Sequence, residues 1–288
     1  MISRSRILFL VAASALAQQA KDLGSDEWTR PFPPFRIVGN LYYVGTYDLA
    51  CYLIATPAGN ILINTGLADS AAQIRANVGT LGFRFADTKL LLATHAHFDH
   101  VSAMAEVKRL TGARLAATKA EVTLFESGGK TDFRFGEDSS AWFQPVKVDQ
   151  ILEDGQKVVL GGMELTVHLD PGHTKGAASY EFTVEDGGRG YRVLIANLPS
   201  INPGVTLLKN AKYPNIMADY AHTLATQKER RPEIFLASHA SQFRLHQKYQ
   251  PGDEYQPQRF VDPAGYRAAV DQLQRAFDAQ IQRERSGQ

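Results

Sequence analysis

Cysteine is almost absent from this chain: Cys51 is the only one in 288 residues. No disulfide can close within it, so the fold must be held by its apolar core and by any metal it binds. A surplus of charge is missing too. Thirty-one Lys and Arg stand against thirty Asp and Glu, and a net charge of +1 gives no pointer to nucleic acid or to an anionic membrane surface. No apolar run is long enough to span a bilayer, and no short repeat, low-complexity segment or internal linker divides the chain. What remains, 44% hydrophobic and 21% charged residues, is ordinary for a globular enzyme with a sizeable core.

At the N-terminus Arg4 and Arg6 precede an apolar run from Ile7 to Ala13, which gives way to Ala15-Leu16-Ala17. Basic residues, a short apolar stretch and small residues form the layout of a secretory signal peptide, here residues 1–17. Export to the periplasm is expected, with no membrane attachment after cleavage. Residues 18–34 read as an extended segment, because Gln18 to Arg30 is polar and Pro31-Phe32-Pro33-Pro34 opposes regular structure. A single domain is expected over residues 35–288.

That domain opens as a β-meander, with strands over Phe35–Val38, Leu41–Gly45, Ala50–Thr56 and Asn60–Ile63. Cys51 falls in the third of these apolar runs and reads as a buried structural thiol. Asp69-Ser70 offers an N-cap to a helix that carries Ile74, Val78 and Leu81 and stops at Gly82. A buried strand over Lys89–Ala93, a helix over Ala103–Leu110 and a strand over Arg114–Ala117 follow. Ser127 to Phe143 is irregular, with Phe133, Phe135, Trp142 and Phe143 scattered among glycines, and a loop of that length in a compact domain is usually functional. The strand pattern restarts after Gln150, with strands over Lys157–Leu160, Met163–His168, Ala178–Val184 and Arg192–Ile195, then a helix over Met217–Lys228. A last helix, capped by Asp262-Pro263, carries Tyr266, Val270, Leu273, Phe277 and Ile281 as one apolar stripe suited to packing on a sheet. The two halves repeat one plan, so two similar lobes in one domain are expected.

Chemistry concentrates in Thr94-His95-Ala96-His97-Phe98-Asp99-His100, where three histidines and an aspartate fall within six residues just after a buried strand. Neutral imidazole is the usual zinc ligand and carboxylate an accepted companion. Two more histidines share that context: His173 in Asp170-Pro171-Gly172-His173-Thr174 and His239 in Phe235-Leu236-Ala237-Ser238-His239 both follow strands. Ligands at strand ends converge on one edge of a sheet. His168, His222 and His246 lack such a setting and read as structural.

His-x-His-x-Asp-His, then Pro-Gly-His-Thr, then a distal His resembles the metallo-β-lactamase superfamily, over nearly all of the chain from Phe35 onward. The resemblance implies an α/β fold, a four-layer αβ/βα sandwich of two similar lobes with the metal site at the sheet edge. It implies two Zn2+ per chain, the first on His95, His97 and His173, the second on Asp99, His100 and His239, with Asp99 also catalytic by orienting the attacking water. Glyoxalase and lactonase relatives usually place a bridging Asp after the strand that here ends at Ile195, and two β-lactamase subclasses a Cys. This chain has Ala196-Asn197-Leu198-Pro199-Ser200 there, which resembles the third subclass of class B β-lactamases. Segments Gly39–Gly45, Gly128–Phe133 and Ser200–Gly204 are similar to that subclass as well.

The expected activity is therefore opening of the β-lactam amide of penicillins, cephalosporins and carbapenems by a zinc-activated hydroxide, a reaction that confers antibiotic resistance. Ser200 and Asn202 are candidates for the substrate carboxylate, and Phe135 and Trp142 for the pocket wall. The small-molecule substrate is the only partner expected, and the chain is expected to be a monomer. Another hydrolase of the superfamily, acting on a lactone, thioester or phosphodiester, and a zinc-binding protein without activity are the alternatives. Asn64 in Leu62-Ile63-Asn64-Thr65-Gly66 departs from the family, which usually has Asp beneath the metals.

Overall fold

A computed structural model describes residues 26–287. The signal segment over residues 1–17 and the first part of the extended segment lie outside the described residues. The elements run α1 (Asp26–Thr29), β1 (Phe35–Val38), β2 (Leu41–Tyr43), β3 (Tyr52–Thr56), β4 (Gly59–Ile63), α2 (Ser70–Thr80), β5 (Thr88–Leu92), α3 (Phe98–Val101), α4 (Met104–Thr111), β6 (Arg114–Thr118), α5 (Lys119–Ser127) and β7 (Gln150–Leu152). The second half holds β8 (Lys157–Leu160), β9 (Met163–Leu169), β10 (Ala178–Asp186), β11 (Arg189–Ala196), α6 (Ile216–Glu229), β12 (Ile234–Ala237), α7 (Leu245–Lys248) and α8 (Pro263–Ser286).

The strands form a seven-stranded sheet in the order β1-β2-β3-β4-β5-β6-β7 and a five-stranded sheet in the order β12-β11-β10-β9-β8. Alternation along each strand explains why both faces are apolar. Ile61 and Ile63 of β4, like Leu90 and Leu92 of β5, enter the core between the sheets, whereas Leu62 and Leu91 turn to the helices outside. Strands buried on both faces need continuous apolar runs, and Leu90-Leu91-Leu92 is one. The layers are thus helix, sheet, sheet, helix, the sandwich that the resemblance implied.

Several expectations change in detail. The segment before Phe35 is not wholly extended: Asp26–Thr29 is a short helix, and Phe32 is buried in the core between the sheets. Asp69 precedes α2, but its side chain makes no capping hydrogen bond. Helix α5, absent from the pattern reading, follows β6 directly. Phe133 and Phe143, scattered among loop glycines in the sequence, are buried at 9% and 8% exposure. The stripe on α8 packs on a helix as well as on the sheet: Tyr266 sets its ring 5.6 Å from that of Phe235 of β12, while Phe277 meets Tyr220 and Leu224 of α6. Cys51 is buried, and burial pushes its thiol well above the usual range, so it is no nucleophile.

The two sheets are tied by side chains as well as by packing. Tyr52 of β3 is fully buried and donates its hydroxyl to the carbonyl of Ala237, the last residue of β12, at 2.6 Å. Tyr180 of β10 does the reverse, donating to Ala93 O just past β5 at 2.8 Å. Tyr52→Phe is expected to lower the unfolding free energy by about 1 kcal/mol in denaturant titration, because it leaves one lone pair of a buried carbonyl without its donor.

Candidate metal centre

Four loops leaving the ends of β5, β9, β11 and β12 meet along one edge of the sandwich. They bring His95, His97, Asp99, His100, His173, Ser200, Asn202 and His239 to one cavity of about 290 Å³. His95, His97 and His173 offer ring nitrogens within 4.8 Å of one another, and His95, Asp99 and His100 form a second such group. His239 stands outside both groups, with Nε2 3.4 Å from Asp99 Oδ2. The larger groove of about 630 Å³ beside Asn40, Thr56 and Glu181 has no histidine in its lining, so volume does not mark the site.

Partners stand behind three of the five rings. His173 Nδ1 donates to the carbonyl of Ser200 at 2.6 Å, and a carbonyl can only accept, so the proton is on Nδ1 and Nε2 carries the lone pair. His97 Nε2 lies 3.4 Å from Asp132 Oδ2, an ion-pair distance at which no well-formed hydrogen bond closes. His97 Nδ1 faces the His173 Nε2 lone pair across 3.1 Å. His239 Nδ1 donates to Asp48 Oδ2 at 2.9 Å, which turns Nε2 toward Asp99. His95 Nε2 is buried with no partner at all.

Electrostatics sharpen this arrangement. Burial, reinforced by the neighbouring histidines, holds His95 well below the ordinary imidazole range and His173 at about 3. Burial also lowers His100, although Asp99 works against it. Two groups run the other way. Burial opposes the charged form of His239, yet Asp48 and Asp99 raise it to about 9, and burial opposes ionised Asp48, yet His239 and the Ser241 backbone lower it to about 2. His97 is raised despite burial by Asp132. Asp99 stays ionised despite its burial because His100, 3.1 Å away, and His239 flank it. Three imidazoles held below their ordinary range, two held above it by carboxylates, and an ionised Asp converge here; with their protons displaced by a cation they are the donor set of a metal, and His, His, His with Asp, His, His suits zinc.

The backbone of the site is held by two buried carboxylates. Glu121 of α5 accepts from Ala96 N at 2.5 Å and from Gly176 N at 3.0 Å, so one side chain clamps both histidine loops. Asp170 takes a bidentate pair of bonds from Arg230, both 2.8 Å, together with one from Gln227 at 3.0 Å. Close packing fixes the same loop, because a Cβ at Gly172 would lie 2.9 Å from the Tyr220 ring. Asn64, with φ +64, sits fully buried below the first loop; its Oδ1 accepts from Thr94 N at 2.9 Å and its Nδ2 points to Ala50 O at 3.3 Å. The second contact calls for a donor, which Asn has and ionised Asp lacks.

Phe135 lines the cavity, its ring 5.1 Å from that of His97. Trp142 does not. It is 40% exposed on the far side of its loop, with its indole N–H on Gly136 O at 3.0 Å and the Lys130 ammonium over its ring. The loop turns at Asp132, whose Oδ1 accepts from Arg134 N and from Phe135 N, the residue whose ring enters the cavity. Trp28 of α1 is a wall that the sequence reading missed, 5.6 Å from the His239 ring. The available signal was a lone Trp in a polar stretch just before Pro31-Phe32-Pro33-Pro34. Asp48, Glu121, Asp132 and Arg230 were missed as well. Of the remaining histidines, His168 pairs with Glu181, His246 stacks on Tyr47, and His222 is exposed, in line with structural roles.

Comparison with known proteins agrees with this geometry. Residues 45–187 match the family model of the metallo-beta-lactamase superfamily. The fold is similar to a beta-lactamase from Chitinophaga pinensis, with TM-score 0.88 and 47% identity over 90% of this chain and 97% of that one. It is also similar to a class B3 di-zinc metallo-beta-lactamase from an Alaskan soil metagenome, with TM-score 0.87 and 48% identity over 89% and 97% of the two chains. A hydroxyacylglutathione hydrolase of Methylobacterium sp. is 29% identical over 133 residues, 46% of this chain and 43% of that protein. The chain spans less than half the length of the curated relatives it matches.

Asp48→Ala is expected to weaken metal binding about 10–100-fold, because the His239 ring that Asp48 orients loses its anchor. Competition against a graded series of zinc chelators measures the affinity.

Proposed function

Because this chain belongs to the metallo-beta-lactamase superfamily, we propose that it is a zinc-dependent β-lactamase of class B, third subclass, opening penicillins, cephalosporins and carbapenems. The observation that carries the reading is the loop after β11. Asn197, where glyoxalase-type members place a bridging Asp, is buried and its amide is directed to Asp170 O at 3.5 Å, while Leu198 lines the cavity. That loop supplies no carboxylate or thiol to compete with His239, and near-full-length similarity to β-lactamases supports the same choice of substrate.

In this reading His95, His97 and His173 would hold one zinc ion and Asp99, His100 and His239 a second. Bound there, the pair supplies an activated water at neutral pH and electrophilic assistance to the amide. The chain's own residues do the rest. Asp99, kept ionised by His100 and His239, accepts a hydrogen bond from the attacking water and orients it. Asp48, Asp132 and the Ser200 carbonyl fix the rings, so no reorganisation is required during the reaction. Trp28, Phe98 and Phe135 wall off bulk solvent, and the Ser200 hydroxyl and Asn202 amide bind the ring carboxylate of the substrate at the cavity mouth. No protein nucleophile is used, so no covalent intermediate forms. All six proposed ligands come from one chain, which makes a monomer sufficient, and a signal segment over residues 1–17 would deliver the enzyme to the periplasm and a role in antibiotic resistance.

Purified zinc-loaded protein is expected to hydrolyse nitrocefin and imipenem, to lose that activity on chelation and to regain it with added zinc. His95→Ala should lower kcat/KM by at least about a hundredfold. Full zinc occupancy with no β-lactam turnover would overturn the proposal, and turnover of S-lactoylglutathione alone would move the chain to the thioester hydrolases.

A further inference from the structure

Beside the metal cavity runs a second groove of about 530 Å³, and the two are continuous, since Leu198, Ser200 and Gln242 line both. Its far wall is the first half of α8, where Gly265, Ala268 and Ala269 leave room that larger side chains would fill. Two arginines, Arg244 and Arg275, line it, and no lining residue is acidic.

Arg244 is built into the groove. It is one of two non-glycine residues among those described with positive φ, at 56°, a conformation with a backbone cost that the surroundings must impose. Its Nη2 lies 2.8 Å from Asp262 Oδ2, directly over Gly265, where an added Cβ would come within 2.6 Å of it. Asp262 cannot neutralise the groove, because Lys248 Nζ lies 3.0 Å from the same carboxylate oxygen. Two cations share that one anion, leaving one positive charge. Arg275 is exposed and has no acidic partner among the described residues, which adds a second.

We propose that this groove is a substrate subsite for a negatively charged substituent carried next to the ring carboxylate of a bicyclic β-lactam. The assignment rests on the β-lactamase reading above and on its placement of the ring carboxylate at Ser200 and Asn202. Ser200 stands at the junction of the two spaces, so a substituent adjacent to that carboxylate, such as the C3 arm of a cephalosporin, enters the groove while the acyl side chain faces Phe135 and Trp28. An anionic arm then meets Arg275 and the Arg244 cluster; a cationic arm is repelled.

Cefotaxime, ceftriaxone and cefepime test this, since they share an acyl side chain and carry neutral, anionic and cationic C3 arms. For the zinc-loaded protein, the ratio of kcat/KM for ceftriaxone to that for cefotaxime is expected to fall about tenfold in Arg275→Glu, mostly through KM, while the ratio for cefepime to cefotaxime rises. Raising the salt concentration should shrink the wild-type ratio toward that of the variant. Calorimetric affinities for the ring-opened products should shift in the same sense. Arg267→Gln, on the same helix but outside the groove, should leave both ratios alone. Turnover of cefotaxime with ratios unaltered by Arg275→Glu overturns the subsite and leaves the β-lactamase reading standing. No turnover of any of the three at full zinc occupancy overturns that reading, and the subsite with it.

Discussion

Nδ1 of His97 and Nε2 of His173 face each other across 3.1 Å in a buried cavity, and the Ser200 carbonyl, by accepting from His173 Nδ1, leaves a lone pair on that Nε2. A proton shared between them would ease the contact in water. Here burial and crowding by other imidazoles depress His173 to about 3, while Asp132 raises His97, so the proton that joins the pair belongs to His97. A metal cation with open coordination positions takes the place of that proton, and the unpartnered Nε2 of His95 belongs to the same cluster.

Such a site costs stability until a cation fills it, and the scaffold carries that cost through buried polar groups with complete sets of partners. Glu121 ties the first histidine loop to the second, Asp170 and Arg230 brace the second against α6, and Tyr52 and Tyr180 bolt the two sheets together just beneath. Removing one member of the Asp170–Arg230 pair would strand a buried charge, a far larger penalty than the pair itself returns. The rigidity that results is useful at the cavity, where donors already aimed at their target need no rearrangement during the reaction.

The strands and the metal cluster could be read from the chain because their signals are local. Leu90-Leu91-Leu92 announces a buried strand, and zinc chemistry needs His and Asp side chains, which His95 to His100 crowd into six residues. The orienting residues could not be read, because nothing local marks them. Asp48 meets His239 across 191 positions of sequence, and it resembles any surface Asp until the fold closes. The exchange of Trp142 for Trp28 has the same origin: which aromatic faces the cavity depends on a turn at Asp132 and on the docking of α1 by Arg30 over the Tyr47 ring. Boundaries slipped where the lobes meet. Ala50, expected at the start of a strand, instead donates its N–H to Ser238 O in the other lobe.

Metal stoichiometry most directly tests the proposal that six convergent side chains form two cation sites. Native mass spectrometry of the zinc-loaded chain should show two zinc ions per polypeptide, and His239→Ala should show one. A single ion in the unaltered chain, or two retained by His239→Ala, would contradict it.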